Sequence, residues 1–424
     1  MSTATVSFLD GNFAPVTEEV TTTDLPVTGT LPPELTGRLV RIGPNPRGPE
    51  DPATYHWFTG TGMVHGLRLD GGRASWYRNR FVNGDDVVNT HIIQVAGQTL
   101  AMVEAGARPV ALTDELETVG PCDFGGTLDG SFTAHTHEDP ATGDRHGVTY
   151  SWAWDHIRHV IVGADGRVRR EDRISVPDAP MVHDCAITER WVVLLDLPVT
   201  FSMEMAGAGR RLPYGWNPDH APRVGLAPLD GPPEDVRWFD APSCFVFHPL
   251  NAYDDGDRVV LDVVRHPKMF ATMLNGPYEG LPWLERWTLD LTRGTLATDV
   301  LDDRGQEFPR LDERLTGRPY RYGYGAAFGE GVAHGPALRH DLVAGTTEVH
   351  DFGPGRVTLE PVFVPRTPTA AEDDGWLLSF VYDGNRDRSE VVVLDAGDFT
   401  GPPVATVDLP VRVPFGFHGS WLPD

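Results

Sequence analysis

The sequence predicts an all-β protein built as a β-propeller, and three observations carry that expectation. First, 46 Gly and 37 Pro are scattered along 424 residues. Each proline removes a backbone donor and each glycine weakens a helix interior, so helices of ordinary length have little room. Second, short apolar stretches of strand length recur between acidic and glycine-rich turns of the hairpin type, as at Asp70-Gly71-Gly72, Asp165-Gly166, Asp254-Asp255-Gly256 and Asp373-Asp374-Gly375. Third, these signals spread over the whole chain with no strict repeat length, which favours a propeller over a sandwich or a parallel solenoid.

In chain order the candidate strands are 74–77, 91–95, 99–104, 148–154, 159–162, 191–195, 245–248, 259–264, 284–289, 348–352, 376–382, 390–395 and 404–409. Residues 201–235, rich in Met, Gly and Pro, interrupt the rhythm and are expected as a loop or short-helix cap on one face. No linker divides the chain. Residues 1–28 read as an N-terminal arm and 29–424 as a single propeller domain with cap insertions.

Thirty-five Lys and Arg against 61 Asp and Glu give a net charge of −26, which argues against nucleic acid and makes an anionic membrane a poor electrostatic partner. Apolar small molecules stay compatible. Lys268 is the sole lysine, so Schiff-base chemistry would rest on one candidate. Cys122, Cys185 and Cys244 are odd in number and widely spaced, indicating neither a disulfide framework nor a thiolate zinc site and fitting a reducing cytoplasm. Residues 1–15 lack the basic and apolar regions of a secretion signal, and no run approaches the roughly 18 apolar residues of a membrane span. Weak peripheral contact of an apolar rim with a bilayer is still compatible.

Four histidines stand in similar local settings. His135, His183 and His248 each precede about ten turn-rich residues and then a short apolar strand, at separations of 48 and 65 residues, near one blade each. His418 lies within the last seven residues, in Pro414-Phe415-Gly416-Phe417-His418-Gly419, and implies that this end is tied back into the fold. Equivalent positions in successive units converge on an axis, and converging imidazoles without cysteine describe an iron, zinc, copper or nickel site. His137, two residues after His135, offers a rival two-histidine pair; His56, His65, His91, His334 and His340 read as structural. A ligating imidazole usually gives its other N–H to a carboxylate or carbonyl. Glu104, Glu307 and Glu360, each beside an apolar stretch, are the candidates.

The motifs Arg41-Ile42-Gly43-Pro44-Asn45-Pro46, Trp57-Phe58-Thr59-Gly60-Thr61-Gly62-Met63-Val64-His65, Ala134-His135, Met181-Val182-His183-Asp184, Phe247-His248-Pro249-Leu250-Asn251-Ala252, Glu307-Phe308-Pro309-Arg310 and Gly416-Phe417-His418-Gly419 resemble, in order, those of the carotenoid cleavage oxygenases. The resemblance runs from about Gly29 to Pro423. It implies a seven-bladed β-propeller with a short helical and loop cap over the metal-bearing face. It also implies Fe(II) held by His135, His183, His248 and His418, with Glu104, Glu307 and Glu360 behind them. The family motif supplies only the first histidine of Ala134-His135-Thr136-His137, and His137 stands where relatives commonly have lysine. Thr90 resembles the position from which relatives crowd one open iron site. A short segment after Phe81 suggests a lost entrance loop.

The implied reaction inserts both atoms of O2 across a carbon–carbon double bond of an apolar alkene and yields two carbonyl products. No Gly-x-Gly-x-x-Gly fingerprint follows a strand, and no nicotinamide, flavin or oxoacid is implied. Substrate walls are expected from Phe81, Val103, Trp154, Phe201, Phe247, Phe270, Phe308 and Phe417, together with Met203 and Met205. Stilbene-cleaving relatives grip a phenolic hydroxyl with a tyrosine and a lysine, and the positions that resemble these hold Phe81 and Val103. Burying a phenolate without a donor is unfavourable, so a carotenoid or apocarotenoid is the expected substrate, with a stilbenoid or phenylpropene as the alternative.

Overall fold

The structure is a computed structural model that describes residues 7–84, 86–329 and 334–424. Among the described residues the long strands assemble into seven antiparallel sheets of four to six strands, the blades of a propeller. In ring order their innermost strands are Gly419–Pro423, His91–Val95, Thr136–Glu138, Cys185–Ile187, Phe245–Asp255, Gln306–Leu311 and, shared within the seventh blade, Arg356–Thr358 and Val362–Pro365. The last strand closes the circle by pairing with Gly37–Pro44, from Gly37 opposite Pro423 to Arg41 opposite Gly419.

Burial falls from the axis outwards. Cys185–Ile187 and most of Trp191–Asp196 are buried, whereas the outer strand Thr295–Asp302 is largely exposed. Blades packed on both faces require continuous apolar strands instead of polar alternation, and Trp191-Val192-Val193-Leu194-Leu195 supplies one. At the hairpin Asp70–Arg73, Gly71 and Gly72 take φ of 52° and 82°, the left-handed region that a tight two-residue turn demands.

Several expected boundaries shift. The expected strand 148–154 is seen as Arg145–Thr149, because the chain turns at Ser151 and carries Trp152 to the molecular surface. The expected cap 201–235 is shorter than its composition suggests. Val199–Phe201 and Tyr214–Trp216 form a small hairpin around the helix Met203–Gly207, but Arg223–Pro228 already returns to its blade beside Trp191–Asp196. Of the expected arm, residues 1–6 lie outside the described residues. The rest is built in: Thr21–Thr22 and Val27–Gly29 edge two neighbouring blades, and Phe8 stacks on Trp57 at 5.6 Å. Among the described residues no helix is long and apolar enough to cross a membrane.

One buried bridge ties the cap hairpin to its blade. His220 donates from Nδ1 to Asp178 and from Nε2 to the fully buried Asp196, each at 2.9 Å. Burial works against charge on the ring, but the two carboxylates outweigh it and raise its pKa. A raised folded-state pKa stabilises the protein below the unfolded value of about 6.5 and loses that contribution as pH rises through the folded value. The thermal midpoint is therefore expected to fall as pH rises from neutrality, and His220→Gln should flatten that slope; an unaltered slope in the variant would assign it to other groups.

Candidate metal centre

The starts of the inner strands meet at the axis, and each brings a side chain with it. His418 precedes Gly419–Pro423, His135 precedes Thr136–Glu138, His183 sits two residues before Cys185–Ile187, and His248 lies inside Phe245–Asp255. The sixth and seventh blades deliver Glu307 and Glu360 instead of histidine. At the axis, ring nitrogens of His135, His183 and His248 all lie within 4.8 Å of one another. Nε2 of His183 and of His248 are 3.3 Å apart. His418 joins them, its ring centred 4.6 Å from that of His248 and 4.8 Å from that of His135. All four are buried.

Carboxylates stand behind three of the rings. His248 Nδ1 donates to Glu307 Oε2 at 2.7 Å and His418 Nδ1 to Glu360 Oε1 at 2.8 Å. His183 Nδ1 lies 2.9 Å from Glu104 Oε1, but bent off the hydrogen-bond direction. Burial opposes ionisation of Glu307 and Glu360, yet the facing groups outweigh it and hold both well below the usual carboxylate range; for Glu307 these are His248 and His266, for Glu360 Arg310 and His418. Burial pushes His135 far down and His418 to about 4. With Nδ1–H committed to a carboxylate, Nε2 of His248 and His418 carries the lone pair towards the centre.

The expected partners are joined by four that sequence reasoning missed. His266 Nε2 donates to the second oxygen of Glu307 at 2.8 Å, Arg310 reaches Glu360 at 3.3 Å, and Tyr150 Oη donates to Glu104 at 2.5 Å. Asp184 is the nearest carboxylate to His135 Nδ1, at 3.9 Å, and its other oxygen takes the hydrogen bond of His137 Nε2 at 2.9 Å. His137 thus pairs with Asp184 and not with the imidazole cluster. Only adjacency to a motif could have flagged Asp184 and Arg310; His266 and Tyr150 sit at strand ends with no local signal. His56, His65, His91 and His340 hold hydrogen bonds elsewhere, and His334 stacks on Phe415.

Over the cluster lies a cavity of about 1080 Å³ whose wall includes His183, His248 and His418. Val103, Phe247, Phe308 and Phe417 line it, as does Thr90. Six other expected wall residues, Met203 and Met205 among them, lie off it. Phe81 packs under Arg47, and Trp154 is sandwiched with His156 and Arg158 on the blade edge. Phe201 backs Trp152 and Tyr214, which do reach the cavity, and Phe270 is core behind Phe58 and Phe247. Met203 is 74% exposed. Trp152, Tyr214 and Tyr278 are wall residues that the sequence did not single out.

This chain is 42% identical to the carotenoid cleavage oxygenase of Mycobacterium tuberculosis over 98% of its own length and 97% of that protein's. The family model described as retinal pigment epithelial membrane protein matches residues 13–88 and 83–423. The chain belongs to the carotenoid cleavage oxygenase family. Two solved structures superpose closely. The lignostilbene dioxygenase of Pseudomonas brassicacearum gives a TM-score of 0.91 at 29% identity, covering 99% of this chain and 98% of that one. Cobalt-substituted ACO of Synechocystis gives 0.89 at 27%, covering 97% of each. The protein is accordingly an oxygenase of the dioxygenase type. The alignment to the mycobacterial carotenoid cleavage oxygenase spans 489 positions against a chain of 424, so that relative carries segments this chain lacks. The family match itself divides at residues 83–88, in the short connection after Phe81.

Proposed function

We propose that this carotenoid cleavage oxygenase holds Fe(II) on His135, His183, His248 and His418 and cleaves a double bond of a carotenoid or apocarotenoid with O2. The observation that carries the reading is the buried imidazole quartet, three of whose rings enter the wall of a large, mainly apolar cavity. Whether the residues fit a metal can be judged from His135: its Nε2 is buried and has no hydrogen-bond partner among the described residues, an arrangement that costs free energy unless a cation accepts the lone pair. Four nitrogens of neutral imidazoles suit a borderline ion such as Fe(II).

Ferrous iron bound there would supply the binding and activation of dioxygen. The chain's own residues do the rest. Glu307 and Glu360, with Glu104 beside His183, fix ring orientation and keep each Nε2 directed inwards. Phe247, Phe308 and Phe417 pack an alkene next to the centre and exclude water from it. The reaction balances without another reductant, since one C=C and one O2 become two C=O groups.

Val103, apolar and on the cavity wall at a position that resembles one from which stilbene-cleaving relatives grip a phenolic hydroxyl, supports the carotenoid or apocarotenoid reading over a stilbenoid or phenylpropene. The likeness to lignostilbene dioxygenase supports the alternative. The deciding experiment loads the purified protein with Fe(II) without oxygen, then admits O2 with a panel of carotenoids, apocarotenals and stilbenes and weighs the carbonyl products. Carbonyl pairs from polyenes are expected; products from stilbenes alone would select the alternative.

A further inference from the structure

We propose that Tyr278 is the hydrogen-bond donor that sets the register of the substrate, and that the substrate carries a hydroxyl or carbonyl oxygen at a fixed distance from the bond cut. The proposal deepens the oxygenase reading above and rests on it. Contacts to Phe247, Phe308 and Phe417 are non-directional. Such walls hold a polyene but do not distinguish one of its double bonds from the next. A directional group is needed, and most polar side chains facing the cavity are already engaged. Tyr150 donates to Glu104 at 2.5 Å, Asn89 to the carbonyls of Phe58 and Gly60 at 2.9 and 2.7 Å, and Thr90 to Asn89 at 3.0 Å. His266 is bonded to Glu307, and Arg211 is paired with Glu50 at 2.5 Å.

Tyr278 differs. Its hydroxyl has no hydrogen-bond partner among the described residues, and the partly buried residue forms part of the cavity wall. Burial drives its pKa far up, so the group is a neutral donor. The ring is fixed by stacking on Phe8 at 5.7 Å and Trp57 at 6.5 Å and packs against the cluster of Phe308 and Phe328. Phe308 in turn stacks on His248 at 5.8 Å. The ring is thereby held on the wall that borders the imidazole cluster. Tyr214 also lacks a hydroxyl partner, but its ring is wedged between Tyr150 and Phe201, beside the exposed Trp152, whereas that of Tyr278 packs against Phe308.

The test compares wild type with Tyr278→Phe, using β-carotene and its dihydroxylated counterpart zeaxanthin. Because the hydroxyl bonds to none of the described residues, the variant should melt as wild type does. Affinity is read on metal-free protein by quenching of tryptophan fluorescence, and cleavage position on the Fe(II)-loaded protein by product mass. Wild type is expected to bind zeaxanthin about tenfold more tightly than β-carotene, about 1.4 kcal/mol, and to cut it at one position. Tyr278→Phe should bind the two alike and cut zeaxanthin at more than one. A variant that keeps both the preference and the single position overturns the role of Tyr278. Failure of loaded wild type to cleave any polyene or stilbene overturns the oxygenase reading, and the register argument with it.

Discussion

His248→Ala is expected to abolish metal binding and alkene cleavage together, and to lower stability as well. His248 occupies the middle of the site. Its Nε2 lies 3.3 Å from that of His183, its ring is centred 4.6 Å from that of His418, and its face lies against Phe308. Truncation removes one nitrogen of four and opens a void next to the remaining three. It also strips Glu307 of the hydrogen bond from His248 Nδ1, leaving a buried carboxylate with only His266 and the Phe308 amide. A buried group deprived of its partner costs about 1–3 kcal/mol, so the thermal midpoint should drop measurably while the far-ultraviolet spectrum stays that of a β protein. Iron content by plasma emission, compared with wild type loaded in parallel, checks the first claim; carbonyl product by mass checks the second. A folded variant that keeps iron at wild-type stoichiometry would take His248 out of the ligand set.

The four histidines were legible because a propeller repeats its geometry: comparable positions before comparable strands reach one axis, so local similarity in sequence becomes proximity in space. The same logic explains what was hidden. The inner strands Thr136–Glu138 and Cys185–Ile187 are three residues long, too short for any apolar period to show. The blade strand Arg223–Pro228 opens and closes with polar and proline residues, so composition merged it with the cap. Trp154, Phe201 and Phe270 are aromatic residues near the site in sequence, but side-chain type does not tell which of two packed faces an aromatic ring takes. Trp152 and Tyr278 reach the cavity through turns, whose direction depends on long-range packing. The carboxylate network was half visible for a related reason. A glutamate in an apolar stretch announces a buried charge, but its partners His266 and Arg310 come from a neighbouring strand and from the far side of a bulge, and no local pattern joins them.

Glu307→Gln tests whether that network acts on the metal or merely fills space, and its effect should be large because both carboxylate oxygens are already committed. Oε2 takes the hydrogen bonds of His248 Nδ1 and of the Phe308 amide, and Oε1 that of His266 Nε2 at 2.8 Å. Glutamine keeps the volume but can offer only one acceptor oxygen. In one rotamer its NH2 confronts His266; in the other it confronts both the His248 N–H and the Phe308 amide. Either way a buried donor faces a donor, unless an imidazole changes tautomer. If it is His248 that changes, the proton moves to Nε2 and the nitrogen is withdrawn from the metal. Partners behind metal ligands are typically worth 10–100-fold in affinity or activity, and a loss in that range is expected here in both Fe(II) affinity and turnover. Competition against a chelator of known affinity gives the first and steady-state cleavage the second. Glu307→Asp, which keeps two acceptors and shortens the reach, should recover part of the loss. Were Glu307→Gln to bind iron and turn over as wild type does, the carboxylate would be a packing element of the sixth blade, and the orientation of His248 would have to come from Phe308 and the rings around it.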